Sequence, residues 1–146
     1  MRLNIFRESG GRLPLKRLQK LFDKLIAEEK KPGWAGTINL VFTDDAGIRK
    51  LNRQFRHINK ATDVLAFSID YPDDEECVFG EVYVSVPTAA RQARSYGVTL
   101  AEELVRLSCH GLLHLFGYDH SKKRDATQMQ SLEDYFVNHS RRSDDG

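Results

Sequence analysis

Apolar residues recur along this chain with two periods, and each change of period marks a change of element. Leu3 to Phe6 predicts a short first strand, closed by a Gly-Gly turn. From Pro14 to about Glu29, Leu15, Leu18, Phe22, Leu25 and Ile26 fall on one helical stripe, until Lys31-Pro32-Gly33 ends the helix. Gly36 to Thr43 is β-branched and apolar and predicts a second strand, after which Asp44 or Asp45 caps a helix running to about Phe55. Asp63 to Ile69 reads as a third strand, Tyr71 to Glu76 as an acidic turn, and Cys77 to Val86 as a fourth strand paired with the third in a hairpin. From Pro87 the period is helical. Thr88 to Tyr96 forms one helix, Gly97 breaks it, and Thr99 opens the next with Glu102 completing a capping box. Lys122 to about Asn138 is a last helix, and the tail is expected to fray from about 140.

Strands early, helices between them and a helical second half define the α+β class, with a small mixed sheet packed against helices. The 146 residues suffice for one domain, spanning 1–146, and 40% hydrophobic content suits a soluble core. No apolar run reaches the length of a membrane span, and the first residues lack the apolar core of a signal peptide, so a cytoplasmic protein without a membrane partner is expected. Cys77 and Cys109 lack CxxC spacing and read as reduced, buried thiols. The net charge of +1 hides an asymmetry: residues 1–60 carry +8 and residues 61–146 carry −7, enough for a basic face on a near-neutral protein.

Candidate chemistry concentrates in residues 110–120. His110 and His114 are four apart, so on a helix they project from one face, one above the other. His120 reaches them only if the helix stops, since six more residues at about 1.5 Å each would carry it roughly 9 Å away. Gly117 is placed to stop it, because glycine takes the left-handed conformation of a helix C-cap without steric cost. Three imidazoles then converge, and the helix becomes a zincin-like metal-binding helix in the C-terminal half. Three neutral imidazoles suit one zinc ion, with nickel, copper or iron as alternatives, and an open fourth position is the catalytic arrangement. Asp119 is placed either to hold a ligand ring or to bond its own turn. Cys109 points roughly 100° away from His110 and is not a ligand.

The spacing H-x-x-x-H-x-x-G-x-x-H is that of metzincin peptidases, and Met129 is readable as their methionine turn. Gly111, however, stands where a zinc peptidase carries its general-base glutamate. A glutamate introduced there is expected to leave metal binding intact and to create no efficient peptidase. The second helix adds a cation row: Arg49, Arg53 and Arg56 share one stripe, extended by Lys60 if the helix runs that far, while Ile48, Leu51 and Phe55 form another face. Phosphodiesters fit both features, since arginine forks match phosphate oxygens.

The string His110-Gly-Leu-Leu-His114-Leu-Phe-Gly117-Tyr-Asp-His120 resembles the signature of the YbeY-type endoribonucleases, also called ribosomal RNA maturation factors. Residues 56–67 and 79–85 are similar to two further blocks of that family, with Ala61, Ala66 and Glu81 where it usually has proline, serine and aspartate. The resemblance implies a single-strand-specific, metal-dependent endoribonuclease acting in 16S rRNA 3′-end maturation, rRNA processing and ribosome quality control. It implies His110, His114 and His120 as metal ligands and Arg56 as the catalytic arginine. Arg49 and Arg53 are expected to bind substrate. The implied partners are single-stranded RNA of the small subunit, not DNA, together with ribosome-associated proteins. Two other classes fit parts of the pattern: a metallopeptidase-like hydrolase, and a non-catalytic ribosome-binding module with a structural metal.

Overall fold

The computed structural model describes residues 1–8, 11–69, 77–118 and 123–141, with the side chains of 123–125 excepted. Among the described residues nine elements follow in the order β1 (Arg2–Arg7), α1 (Leu15–Glu29), β2 (Thr37–Thr43), α2 (Asp45–Arg56), β3 (Val64–Ser68), β4 (Val78–Ser85), α3 (Val86–Tyr96), α4 (Leu100–Leu115) and α5 (Lys123–Ser140). The acidic turn expected at 71–76 and the tail beyond 141 lie outside the described residues.

The sheet is mixed, in the order β1-β2-β4-β3. β1, β2 and β4 run parallel, whereas β3 pairs antiparallel with β4 in the register Val64 to Val84 and Ser68 to Gly80, as the hairpin pattern predicts. β2 lies between β1 and β4 and has the near-continuous apolar character of a strand covered on both faces: Ile38, Leu40, Val41 and Phe42 are all buried.

α4 is the central helix. Ten of its residues are buried, and it packs against β3, β4, α1, α3 and α5. Two glycines set its height above the sheet. A Cβ on Gly111 would fall 2.4 Å from Val82 Cγ1, and one on Gly80 of β4 would fall 2.8 Å from Leu115 Cδ2, so helix and hairpin approach more closely than any larger residue would permit.

The caps follow the sequence closely. Asp44 accepts from the Gly47 amide at 2.8 Å and starts α2. Thr99 accepts from the Glu102 amide at 3.1 Å and starts α4. The Glu102 carboxylate, expected to close a capping box, instead accepts from Arg17 at 3.0 Å and from Arg141, tying α4 to α1 and to the end of α5.

α2 departs from expectation on its apolar face. Ile48 is buried, but the other buried residue is Asn52, while Phe55 is 57% exposed. Asn52 is drawn inward because its side-chain amide nitrogen donates to the Lys60 carbonyl at 2.9 Å, while its backbone carbonyl accepts from the Ile58 amide, folding the chain back after the helix. His57 makes that turn in the left-handed region, at φ 60°, so Lys60 does not extend the arginine stripe.

Candidate active site

α4 ends as its glycine requires. Gly117 takes φ 100°, its amide donates to the His114 carbonyl at 3.0 Å, and the Tyr118 amide donates to the Leu113 carbonyl at 3.1 Å. These paired bonds form a Schellman motif, which ends the helix just before Gly117, three residues after His114. His120 and Asp119, the next residues of interest, lie outside the described residues.

His110 and His114 meet as the four-residue spacing demands, with ring centroids 4.8 Å apart and planes at 70°. Both line a cleft of about 510 Å³. Its opposite wall is β3, whose alternation presents Val64, Ala66 and Ser68, and its rim carries Thr62, Asp63 and Arg56. Arg56 arrives there because α2 ends at that residue, and the turn at His57 leads the chain toward β3. An arginine more than fifty positions away in sequence therefore opens onto the same cavity as the two histidines.

Arg49 and Arg53 do not line that cleft. They flank a shallow depression with Ala46 and Lys50 on the outer face of α2, where the Arg49 guanidinium donates to Asn59 at 2.9 Å. The three-arginine stripe is thus divided, with one member at the cleft and two beyond it.

Asp63 is held at the rim by its neighbours. One carboxylate oxygen accepts from the Val64 amide at 2.8 Å, and the other accepts from Gln92 of α3 at 3.2 Å. Glu81 lies on the other sheet face from Val82 by strand alternation, accepting from Asn39 at 3.1 Å and from the Tyr83 hydroxyl at 3.1 Å. Cys109 is fully buried and its thiol is pushed far above the usual range, chiefly by burial. Glu103, buried two turns before His110 on α4, has its carboxyl raised by burial, with the Arg106 charge opposing that shift.

One carboxylate at the site was not anticipated. Glu133 of α5 is buried, and its Oε1 lies 3.0 Å from His110 Nδ1. Helical periodicity held the signal: Met129, Glu133, Phe136 and Val137 form the buried stripe of α5, and a carboxylate on such a stripe requires a partner. The same stripe accounts for Met129, which is a core residue inside a helix rather than part of a methionine turn.

The donors suit a borderline divalent metal. Two imidazoles stand one helical turn apart on a cleft wall, and the Nδ1 of one lies 3.0 Å from a carboxylate, a geometry in which a donating Nδ1–H would leave the Nε2 lone pair for a ligand bond. Among the described residues, no group of three or more His, Cys, Asp or Glu side chains gathers as metal ligands.

The structure is therefore an α+β domain with a histidine- and arginine-lined cleft at the join of α4 and a β-hairpin. The family model for Endoribonuclease YbeY matches residues 5–141. Endoribonuclease YbeY of Gloeobacter violaceus is 46% identical over 110 residues, a match that spans 71% of this chain and 56% of the relative's length. That of Moorella thermoacetica is 37% identical over 129 residues, covering 82% of each. The solution structure of TM1509 from Thermotoga maritima aligns over 99% of this chain and 98% of its own, with a TM-score of 0.63 and 31% identity. The chain belongs to the endoribonuclease YbeY family.

Proposed function

We propose that this chain is a single-strand-specific, metal-dependent endoribonuclease that processes ribosomal RNA, acting on the 3′ end of the small-subunit RNA. The observation that carries the reading is the shared cleft: Arg56 of α2 and His110 and His114 of α4 line one cavity from separate elements. A phosphodiester needs both components, a site for metal and a cation for the charge that builds on phosphorus.

His110, His114 and His120 would hold the ion, zinc first. When bound, such an ion polarises a phosphoryl oxygen and lowers the pKa of a coordinated water. Arg56 orients the phosphate through its planar fork and neutralises developing charge. Arg49 and Arg53, beyond the cleft on the same helix, attract the flanking RNA backbone, and Asp119 steadies the neighbouring His120 ring. The whole chain works as one metallohydrolase domain in the cytoplasm, where its RNA is made, and ribosome-associated proteins are its further partners. No described helix is long and apolar enough to cross a membrane.

Gly111 counts against the peptidase alternative. It supplies no proton acceptor, and its position against Val82 leaves no room for one. A direct comparison tests the reading: zinc-loaded protein is given a single-stranded RNA and, separately, casein. RNA cleavage without casein hydrolysis is expected. Casein hydrolysis without RNA cleavage would replace the endoribonuclease reading with the peptidase one.

A further inference from the structure

We infer that Glu133 is a positioning residue for the metal centre, fixing the tautomer and orientation of His110. The inference rests on the metal-dependent reading above and adds a residue from α5 to it. Glu133 is 7% exposed, and a carboxylate so buried is costly unless paired and hydrogen-bonded. Its Oε1 is 3.0 Å from His110 Nδ1. A neutral imidazole has one N–H and one lone pair, so the nitrogen that donates is not the one that binds metal. With Nδ1–H committed to the carboxylate, Nε2 is the coordinating atom, and rotation of the ring is restrained by a bond to a second helix.

The surroundings make this contact stiff. Met129, Phe136 and Val137, on the same stripe of α5, are buried in the core with Leu112 and Leu113 of α4, so Glu133 is presented from a packed helix rather than a mobile loop. His110 is on the cleft wall and Glu133 lies behind it, outside the cleft lining. A carboxylate behind a ligating histidine also raises ring basicity, and loss of such a partner typically weakens metal binding about 10- to 100-fold.

The test is the zinc affinity of wild-type, Glu133→Ala and Glu133→Gln proteins, by competition with a chromophoric chelator. It is accompanied by melting of the metal-free proteins and nitrogen chemical shifts of the His110 ring. Glu133→Ala should bind zinc about 10- to 100-fold more weakly than wild type. Glu133→Gln should lose less, because its amide oxygen still accepts from Nδ1–H, and it carries the test if the alanine variant does not fold. In its neutral form the His110 ring of the metal-free wild type should carry its proton on Nδ1 rather than on Nε2. Zinc affinities within about twofold of wild type for the folded variants, or an Nε2–H tautomer in the wild type, would overturn the role of Glu133 alone. A wild-type protein without zinc affinity would overturn the parent reading as well.

Discussion

Gly111 lies against Val82 so closely that a Cβ at position 111 would meet Val82 Cγ1 at 2.4 Å and Val64 Cγ2 at 3.1 Å. Both neighbours belong to the hairpin that walls the cleft, so this contact sets the distance between the histidine helix and β3. Gly111→Ala should therefore destabilise the protein by about 1–3 kcal/mol, the usual range for overpacking, measurable by urea unfolding. The same contact bears on the expectation that Gly111→Glu leaves metal binding intact, because the added side chain must displace Val82. Gly111→Glu should lower the melting temperature by more than Gly111→Ala and weaken metal binding along with it. A Gly111→Glu protein of unchanged stability would contradict the packing.

A second prediction concerns His114. It lines the cleft beside His110, and losing one imidazole from the proposed three-histidine site should remove stoichiometric zinc. Bound metal stabilises the native state by mass action, roughly 2.7 kcal/mol at a hundred times Kd. Zinc should therefore raise the melting temperature of wild type and leave that of His114→Ala where it was. Metal analysis and melting with and without added zinc check this.

The divided arginine stripe gives a third. Arg56→Ala should retain full metal content and lose about 10² to 10³ in the rate of RNA cleavage, with Lys restoring only part because a point charge replaces a planar fork. Arg49→Ala and Arg53→Ala, beyond the cleft, should weaken RNA binding chiefly at low salt and leave single-turnover rates near wild type. A loss of turnover in Arg49→Ala equal to that in Arg56→Ala would contradict the division.

Asp45 supplies a pH dependence away from the site. Its carboxyl falls from 3.8 to about 2, first through the hydrogen bond from Ser85, then that from Thr88, with Arg91 adding to both. The Ser85 and Thr88 hydroxyls each lie 2.6 Å away, so one carboxylate ties α2 to the end of β4 and the start of α3. A depressed folded-state pKa contributes stability that is present above about pH 4 and lost as pH falls toward 2. Asp45→Asn should melt below wild type at neutral pH, and the two curves should converge between pH 4 and 2. A constant gap across that window would show that Asp45 acts through shape rather than charge.

Local order in this fold was largely legible from sequence. Asp44, Thr99 and Gly117 act within one or two helical turns, and their caps form as their chemistry dictates. Long-range relations were not. The insertion of β4 between β2 and β3 depends on pairing across the whole sheet, which no local period encodes. Asn52 displaced Leu51 and Phe55 from the buried face of α2 because a later turn, at Lys60, supplied its partner. Glu133 was visible only as a carboxylate on an apolar stripe; its partner, His110, is on another helix. Arg56 was singled out by resemblance, and the reason for its position became clear only when the end of α2 was seen to open onto the histidine cleft.

The most direct measurement is single-turnover cleavage of a single-stranded RNA carrying the small-subunit 3′ end, using one protein preparation as purified, after chelation and after zinc is restored. Cleavage should be present in the first state, fall to background in the second and return in the third, with metal content following the same course. Undiminished cleavage by protein shown to be free of metal would contradict the account at its centre.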